Sequence, residues 1–339
     1  MSPTPFVAAG CKVWLTLCLA LLLAMPARAF GITVLQADDL PAHAEFVRQL
    51  KDSQDPSGGF ALVRVGPQGI ATANADMAAV EDDRVGGGVR TRSARANNTG
   101  TGAVPPSITI AVGLDAAKAA LERPGTDPLV LAMLSRLDYE SLKANPALRR
   151  VDRRVGVLLR DPAMADAVAL VDAALPRKRR LGIVVTDESE PLLQDVRRAT
   201  SGWDLQVEYA ADPRSLARAL KVVLPRSDAL LVLPDLIGDD QAATLAVLRA
   251  AATAGVPVFG ASDGLVRSGG LAATVSTPTL LARQARILGR KVMAGGGAGA
   301  PLVESATPAT VRVNATVARA LGLRLPDERE LTERVAAVR

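Results

Sequence analysis

The chain has 339 residues, with 40 lysines and arginines against 35 acidic residues, a formal net charge of +5 at pH 7 and only 3% aromatic residues. This scarcity of aromatic side chains removes the base-stacking surfaces of single-strand nucleic-acid binders, and nucleic acid is not expected as a partner. With two cysteines and one histidine, the sequence also excludes metal sites built from thiolates or from histidine clusters.

The first 29 residues have the layout of a secretory signal peptide. The early cation Lys12 precedes an apolar run, and Ala27 and Ala29 follow in the A-x-A arrangement that signal peptidase requires. A retained membrane anchor is the alternative, but the apolar run is shorter than the roughly 18–20 residues of a span. We therefore expect cleavage after Ala29 and export to the periplasm. Both cysteines fall within this segment, so the mature chain would contain none.

The next part of the chain, residues 30–150, is predicted to form a first α/β lobe. Strand-like apolar runs occur at "GITVLQA", "FALVRVG", "SITIAVG" and "PLVLAML". Between or after them lie the helical patterns "AHAEFVRQLKD", "LDAAKAALER" and "DYESLKAN". A polar, glycine-rich stretch at about 66–106 interrupts this alternation. We predict a loose, low-complexity insertion there, with at most a short helix at "ANADMAAVEDD".

Residues 151–276 are predicted to form a second α/β lobe. It would begin with "RRVGVLLRD" and the helix "AMADAVALVDAALP", and continue through the strands "RRLGIVVT", "DLQVEYA", "DALLVLPD" and "VPVFGAS". Near-continuous Val/Ile/Leu runs that alternate with helices are typical of parallel strands covered on both faces. Residues 277–339 would add a C-terminal helix, a crossover strand and a closing helix. The predicted fold class is α/β, with two doubly wound Rossmann-like lobes and a ligand cleft between them.

Polar residues near the ends of predicted strands are the candidate ligand-binding residues. Open α/β sheets bind small molecules at the carboxyl ends of their strands. The residues at or shortly after these ends are Asp38, Gly113, Ser135, Thr186, Glu190, Asp235, Ser262 and Asp263. Two alternatives stay open. Asp263 and Gly264 could simply form a turn, and the segment 186–190 could cap a helix instead of contacting a ligand.

No catalytic set is recognisable in the sequence. The glycine-rich stretch at 86–102 has neither a strand before it nor a helix after it, and no phosphate-binding loop or G-x-S-x-G elbow occurs. Any Ser-His-Asp triad would have to use the single histidine, His43. The adjacent acids Asp239 and Asp240 are better suited to a helix start than to catalysis. The sequence therefore predicts no cofactor, no metal and no catalytic residue.

A family resemblance is carried by several motifs of the second half. They are "DALLVLPD", "AGVPVFGASDGLVRSGGLAATVS", "ATVRVNATVARALGLRLPD" and "LPRKRRLGIVVT", with weaker counterparts at "ITIAVGLDAAKAAL" and "PLVLAML". Across about 175–326 the chain resembles the periplasmic substrate-binding proteins of ABC transporters, in the branch related to tryptophan and tyrosine uptake. The resemblance implies a class I periplasmic-binding-protein-like fold, a small-molecule ligand such as an amino acid, and an inner-membrane ABC permease as partner.

The sequence departs from this family at positions that would face the ligand. Leu114 stands where the family has a threonine, Leu236 where an asparagine is common, and Glu190 is displaced by one place and followed by Pro191. We therefore expect an amino acid's carboxylate and amine not to be held in the usual way. The predicted function is a periplasmic solute-binding component of an ABC transport system. A periplasmic sensor or accessory binding protein is the alternative, and an exported enzyme on the same fold is a third.

Overall fold

The computed structural model describes residues 30–54, 58–66, 69–74, 107–308 and 310–338. The signal peptide predicted at 1–29 lies outside these residues, and so does most of the insertion predicted at about 66–106. None of the helices in the described part of the chain combines the length and the apolar character that a membrane span requires.

The described residues alternate between strands and helices along most of the chain. The strands are β1 Gly31–Gln36, β2 Phe60–Gly66, β3 Gly69–Asn74, β4 Ser107–Val112, β5 Leu129–Leu134, β6 Val155–Pro162, β7 Arg180–Val185, β8 Asp204–Tyr209, β9 Ala229–Leu231, β10 Val258–Gly260, β11 Ala272–Val275, β12 Leu302–Ala306 and β13 Thr310–Val313. The helices are α1 Pro41–Asp52, α2 Leu114–Glu122, α3 Arg136–Leu142, α4 Met164–Ala174, α5 Glu190–Ala199, α6 Pro213–Val223, α7 Leu236–Asp239, α8 Gln241–Ala254, α9 Asp263–Arg267, α10 Pro278–Met293, α11 Ala315–Ala320 and α12 Glu328–Ala337.

The strands form two sheets, each the centre of one lobe. The sheet of lobe 1 has the order β12-β6-β5-β4-β1-β2-β3, and that of lobe 2 has the order β13-β11-β10-β9-β7-β8. Within each sheet the strands are parallel, except that β3 runs antiparallel to β2 and β13 antiparallel to β11. The predicted α/β class with two doubly wound lobes is confirmed.

Helices cover both faces of each sheet because successive strand residues point to opposite sides. In β5, Val130 packs with α1 and α10 on one face, while Leu131 packs with α2 and α3 on the other. Lobe 2 repeats the arrangement, with α4, α5, α11 and α12 on one face and α6 and α8 on the other. A strand buried on both faces must be apolar throughout, which is why these strands appear in the sequence as continuous apolar runs.

The prediction that the second lobe begins at residue 151 is wrong. Strand β6 pairs in parallel with β5 and with β12, so "VGVLLRD" belongs to the sheet of lobe 1. In the described residues the chain passes to lobe 2 after Pro162, returns at 276–277, and passes once more between Ala306 and Thr310. Lobe 1 therefore also contains α10 and β12. The sequence of an apolar strand does not indicate which sheet it joins, because the strand could pair equally well with parallel strands of either sheet.

The low-complexity insertion also begins later than predicted. Residues 69–74 form β3, which pairs antiparallel with β2 from Gly66 opposite Gly69 to Leu62 opposite Asn74. The short helix predicted at 73–83 overlaps the end of this strand, and its remainder lies outside the described residues. Pairing with β3 satisfies the backbone groups of β2 that an unpaired sheet edge would leave exposed.

The placement of β6 against α10 can be tested at Gly156. A Cβ atom on this glycine would lie 2.8 Å from Val292 Cγ2 and 3.0 Å from Leu288 Cγ, both on α10. We predict that Gly156→Ala lowers the free energy of unfolding by about 1–3 kcal/mol through overpacking, measured by urea denaturation.

The double variant with Val292→Ala should lose less stability than the sum of the losses of the two single variants, because the shortened side chain makes room for the new methyl group. Gly59→Ala is the matched control, since no atom of the described residues lies within 4 Å of a Cβ built there. Strictly additive losses in the double variant would contradict the contact between β6 and α10.

Candidate functional site

The carboxyl ends of the parallel strands face each other across the region where the lobes meet. All three crossings to the other lobe start directly at the end of a strand, namely β6, β11 and β12. Between the lobes lies a cavity of about 50 Å³, formed by Asp161 of lobe 1 and by residues of lobe 2 that follow β9 and β10, including Asp239 and Ser262. This cavity and the strand ends around it form the interlobe cleft.

In lobe 1, Asp38 and Gly113 come together around the single histidine. Asp38 Oδ1 lies 2.8 Å from Nδ1 of His43, whose residue surface is only 6% exposed. Gly113 follows β4 with φ of 82°, and a Cβ there would lie 2.7 Å from His43 Cε1. Only glycine allows the backbone to approach the imidazole in this left-handed conformation. The sequence predicts no role for His43, because a lone histidine at a helix start gives no sign of its partner.

Ser135, at the end of β5, caps helix α3. Its Oγ accepts a hydrogen bond from the backbone N–H of Asp138 at 3.0 Å, and Asp138 Oδ2 accepts one from the N–H of Ser135 at 2.8 Å. Just before this capping box, Met133 has φ of 61°, and the register between β5 and β6 shifts there. A non-glycine residue in the left-handed region is strained, and a bulge of this kind bends the strand and redirects the residues that follow it.

In lobe 2, Thr186 and Glu190 have separate surroundings. Thr186 forms a capping box with Ser189, with the two hydroxyl oxygens 2.9 Å apart. Glu190 points to a half-exposed surface, where it accepts from Arg197 at 2.9 Å and from the Tyr209 hydroxyl at 3.3 Å. For Thr186 the capping alternative therefore describes the observed contacts. Glu190 is hydrogen-bonded to neighbouring side chains of its own lobe.

Asp235 is the most completely bonded of the predicted residues. It is 2% exposed, and its Oδ1 accepts from the backbone N–H groups of Ile237 at 2.9 Å and Gly238 at 3.1 Å. Its Oδ2 accepts from the hydroxyl of Ser189 at 2.5 Å. Burial raises the pKa of Asp235, while these three donors act in the opposite direction. The carboxylate thereby joins the loop after β9 to the loop after β7.

Ser262 and Asp263 point to different places. Ser262 caps α9 by accepting from the N–H of Leu265 at 3.1 Å, and it also lines the interlobe cavity. Asp263 pairs with Arg267 on its own helix and with Arg312 of β13, 3.3 Å away. It does not line the cavity, so Asp235 and Asp263 follow neighbouring strands but enter separate networks.

The lobes touch through two arginine–carboxylate pairs that the sequence analysis missed. Arg160 of β6 donates to Asp239 of lobe 2 at 2.7 Å, and Arg136 of α3 lies 3.5 Å from Asp195 of α5. Leu137 adds an apolar contact, because it packs against the core of lobe 2. Asp239 lies at the end of α7, while Asp240 caps α8. Long-range partners of this kind cannot be identified from charge spacing along the chain.

Asp161, next to the first crossing, is a second residue that the sequence analysis missed. Its side chain is 19% exposed, and its Oδ2 is buried with no hydrogen-bond donor among the described residues, although Arg160 Nε lies 3.5 Å away. Burial raises the pKa of Asp161 to about 6, Arg160 opposes this rise, and Asp239 and Asp138 add to it. The signal in the sequence that could have identified Asp161 is the Asp-Pro pair at the end of β6.

The role of Asp235 can be separated from that of Asp263 by stability measurements. Asp235→Ala removes a helix cap and leaves the Ser189 hydroxyl buried without its acceptor. We predict a loss of about 2–4 kcal/mol in the free energy of unfolding. Asp263→Ala removes exposed ion pairs only and should cost about 1 kcal/mol or less. Urea denaturation of both variants gives the comparison, and equal losses would show that Asp235 does not hold the two loops together.

The raised pKa of Asp161 predicts a pH-dependent gain from Asp161→Asn. Between 3.8, the ordinary pKa, and about 6, the folded protein binds a proton that the unfolded chain has lost. The stability contributed by this group therefore falls as the pH rises through that window and stays low above it. Asp161→Asn should raise the free energy of unfolding by about 1–3 kcal/mol at pH 7.5 and hardly at all at pH 4.

Urea denaturation at the two pH values tests this expectation. Asp195→Asn serves as the control for removing an acidic side chain at the lobe contact. A gain from Asp161→Asn that is the same at pH 4 and pH 7.5 would contradict the assignment of the raised pKa to Asp161.

Comparison with known proteins finds the fold but no sequence family. No protein-family model matches the chain, and no curated protein does. A conserved domain protein from Vibrio cholerae O1 biovar El Tor is 18% identical with a TM-score of 0.53, covering 91% of this chain and 98% of its own. The ABC domain in complex with L-Trp from Streptococcus pneumoniae is 16% identical with a TM-score of 0.52 and the same coverage.

A third similar structure is that of CD0873, a substrate-binding protein with adhesive properties from Clostridium difficile, in its ligand-free, open form. It is 14% identical with a TM-score of 0.59, covering 88% of this chain and 96% of its own. At these identities the similarity concerns the fold. The chain has the two-lobed α/β fold of these proteins, one of which is in complex with L-Trp and another of which is called a substrate-binding protein.

Proposed function

We propose that this protein is a periplasmic solute-binding protein that closes its lobes around a small molecule and presents it to an inner-membrane ABC permease. The observation that carries this proposal is the arrangement of two parallel sheets whose strand ends face each other across a contact made by side chains. Lobes joined by a few crossing segments can separate and close by a hinge motion. The similar substrate-binding proteins and the predicted signal peptide support the same function.

Ligand binding in this arrangement requires the lobes to separate. The interlobe cavity of about 50 Å³ offers room for roughly one or two water molecules. An amino acid is larger, so its entry would break the contacts of Arg160 with Asp239 and of Arg136 with Asp195. Partly exposed ion pairs of this kind contribute about 0.2–1 kcal/mol each. A ligand that makes two or three charge-assisted hydrogen bonds would outweigh them.

Two groups of residues are proposed to contact the ligand. On lobe 1, Asp38 and the imidazole of His43 lie beside Gly113, and the Asp38 side chain is 34% exposed. On lobe 2, Ser262 lines the cavity. Asp38 would accept from an amine or hydroxyl group of the ligand, and Ser262 would donate to it or accept from it.

The other predicted residues are proposed to shape the site without contacting the ligand. Ser135, Thr186 and Asp235 serve as helix caps, and Glu190 and Asp263 are paired with arginines. Each of these contacts would have to be given up before the side chain could bind a ligand. We propose no catalytic role for any of them.

A periplasmic sensor or accessory binding protein is the second candidate function. The interlobe ion pairs favour this function, because they stabilise contact between the lobes without a bound ligand. The apolar residues Leu114 and Leu236, at positions where related binding proteins carry polar groups, point in the same direction. A permease and an ATPase encoded beside this gene would favour the transporter function over the sensor.

Small-angle X-ray scattering of the mature chain tests whether the lobes move. We predict that Arg136→Gln combined with Arg160→Gln increases the radius of gyration, because both interlobe ion pairs are lost. The matched control is Arg218→Gln with Arg249→Gln, which removes the same charge from exposed positions of lobe 2. No increase in the interlobe variant would contradict a hinge motion restrained by these pairs.

Native mass spectrometry of protein purified gently from the periplasm tests whether a small molecule is bound. We expect a co-purified mass that is retained by Arg218→Gln and reduced by Asp38→Ala. Recovery of the bare chain, together with unchanged scattering on addition of the common amino acids, would contradict the solute-binding function.

A further inference from the structure

A cavity of lobe 1 lies outside the cleft, in a groove between helices α1 and α10. Its volume is about 520 Å³, within the range of ordinary small-molecule sites. One wall is formed by Arg283, Arg286 and Arg290 of α10, and the other by residues at the end of α1, including Gln49 and Asp52. The groove is therefore lined by three guanidinium groups and one carboxylate.

The arginines form a stripe along one face of α10. Their spacing of three and four residues places neighbouring guanidinium groups on the same side of the helix, where like charges repel and destabilise it. Helix α10 contains no aspartate or glutamate that could offset this repulsion. In the part of the chain that the structure describes, Arg283 and Arg290 have no carboxylate partner. An anion bound between Arg283 and Arg290 would offset the repulsion between them.

Two contacts between side chains help to set the geometry of the groove. The guanidinium of Arg290 lies over the Phe30 ring, 5.9 Å from its centre, within the range of a cation–π contact. Thr279 donates to Gln49 at 3.0 Å and so joins the two walls at one point of the groove. Arginine forks bind carboxylate and phosphate groups through paired hydrogen bonds, which a lysine ammonium cannot do.

We infer that the groove between α1 and α10 is a second binding site, which takes a small organic polyanion. Its oxyanion groups, carboxylates or phosphates, would lie along Arg283, Arg286 and Arg290. Asp52 on the opposite wall repels a further negative charge, so the other side of the ligand would carry hydroxyl or amino donors. Such a ligand needs no opening of the lobes, which makes this site independent of the interlobe cleft.

Isothermal titration calorimetry with citrate and with inorganic pyrophosphate, at constant ionic strength and pH 7.5, tests the site and separates its two oxyanion classes. We expect one probe to bind with a stoichiometry of one, at least tenfold more tightly than acetate. The variant R283Q/R286Q/R290Q should weaken binding at least tenfold. The variant R283K/R286K/R290K, which keeps the charge and loses the forks, should show an intermediate loss.

The matched control is R214Q/R218Q/R249Q, which removes the same charge from exposed positions of lobe 2 and should change the affinity less than twofold. Ser262→Ala in the cleft should also leave polyanion binding unchanged. Circular dichroism checks that each variant is folded, and the single variant R283Q, at an exposed position, replaces the triple variant if that does not fold. Equal weakening by the lobe 1 and lobe 2 variants, or no preference of either polyanion over acetate, would overturn the inference.

Discussion

Most of the parallel strands in the two sheets are followed by a helix whose first backbone N–H groups have no partner within that helix. These donors lie at the edge of the sheet that faces the other lobe, and side chains at the strand ends provide the acceptors. Ser135, Asp235 and Ser262 each do so, and Asp235 binds two N–H groups as well as a serine hydroxyl. Because unsatisfied buried donors are costly, the caps take precedence over other uses of these side chains. A ligand would have to use the groups that the caps leave available.

Two carboxylates near the lobe contact, the buried Asp235 and the partly buried Asp161, have very different surroundings. Asp235 has three hydrogen-bond donors, so its charge is distributed over its own lobe. Among the described residues, Arg160 is the only cation within 4 Å of the Asp161 carboxylate, and residues of lobe 2 form most of the cavity around it. Separation of the lobes would hydrate Asp161, so its ionisation favours opening and its protonation favours contact. The contact between the lobes is therefore held by arginine pairs and opposed by one poorly compensated carboxylate.

The arginines of this chain have three distinct structural roles. The net charge therefore does not indicate what any one of them does. Arg153 is 4% exposed and donates to backbone carbonyl groups, including that of Ala120 at 3.0 Å, so it acts as a structural donor. Arg160 connects the lobes. The stripe on α10 has no acidic partner on its own helix and faces a groove. The same side chain thus acts in the interior, at an internal contact and on an outer surface, depending on what surrounds it.

The sequence by itself determined the fold class and most of the elements, because apolar runs and helical periodicity depend only on neighbouring residues. It also placed Asp38, Gly113, Ser135, Asp235 and Ser262 at strand ends, since the carboxyl end of a strand is visible as the end of an apolar run. The tertiary structure decided which sheet β6 joins, because an apolar strand fits either sheet. It also decided that Asp38 meets His43, that Arg160 meets Asp239, and that three arginines of α10 face a groove. These are contacts between residues distant in sequence or on separate elements, and only the packing of those elements sets their distances.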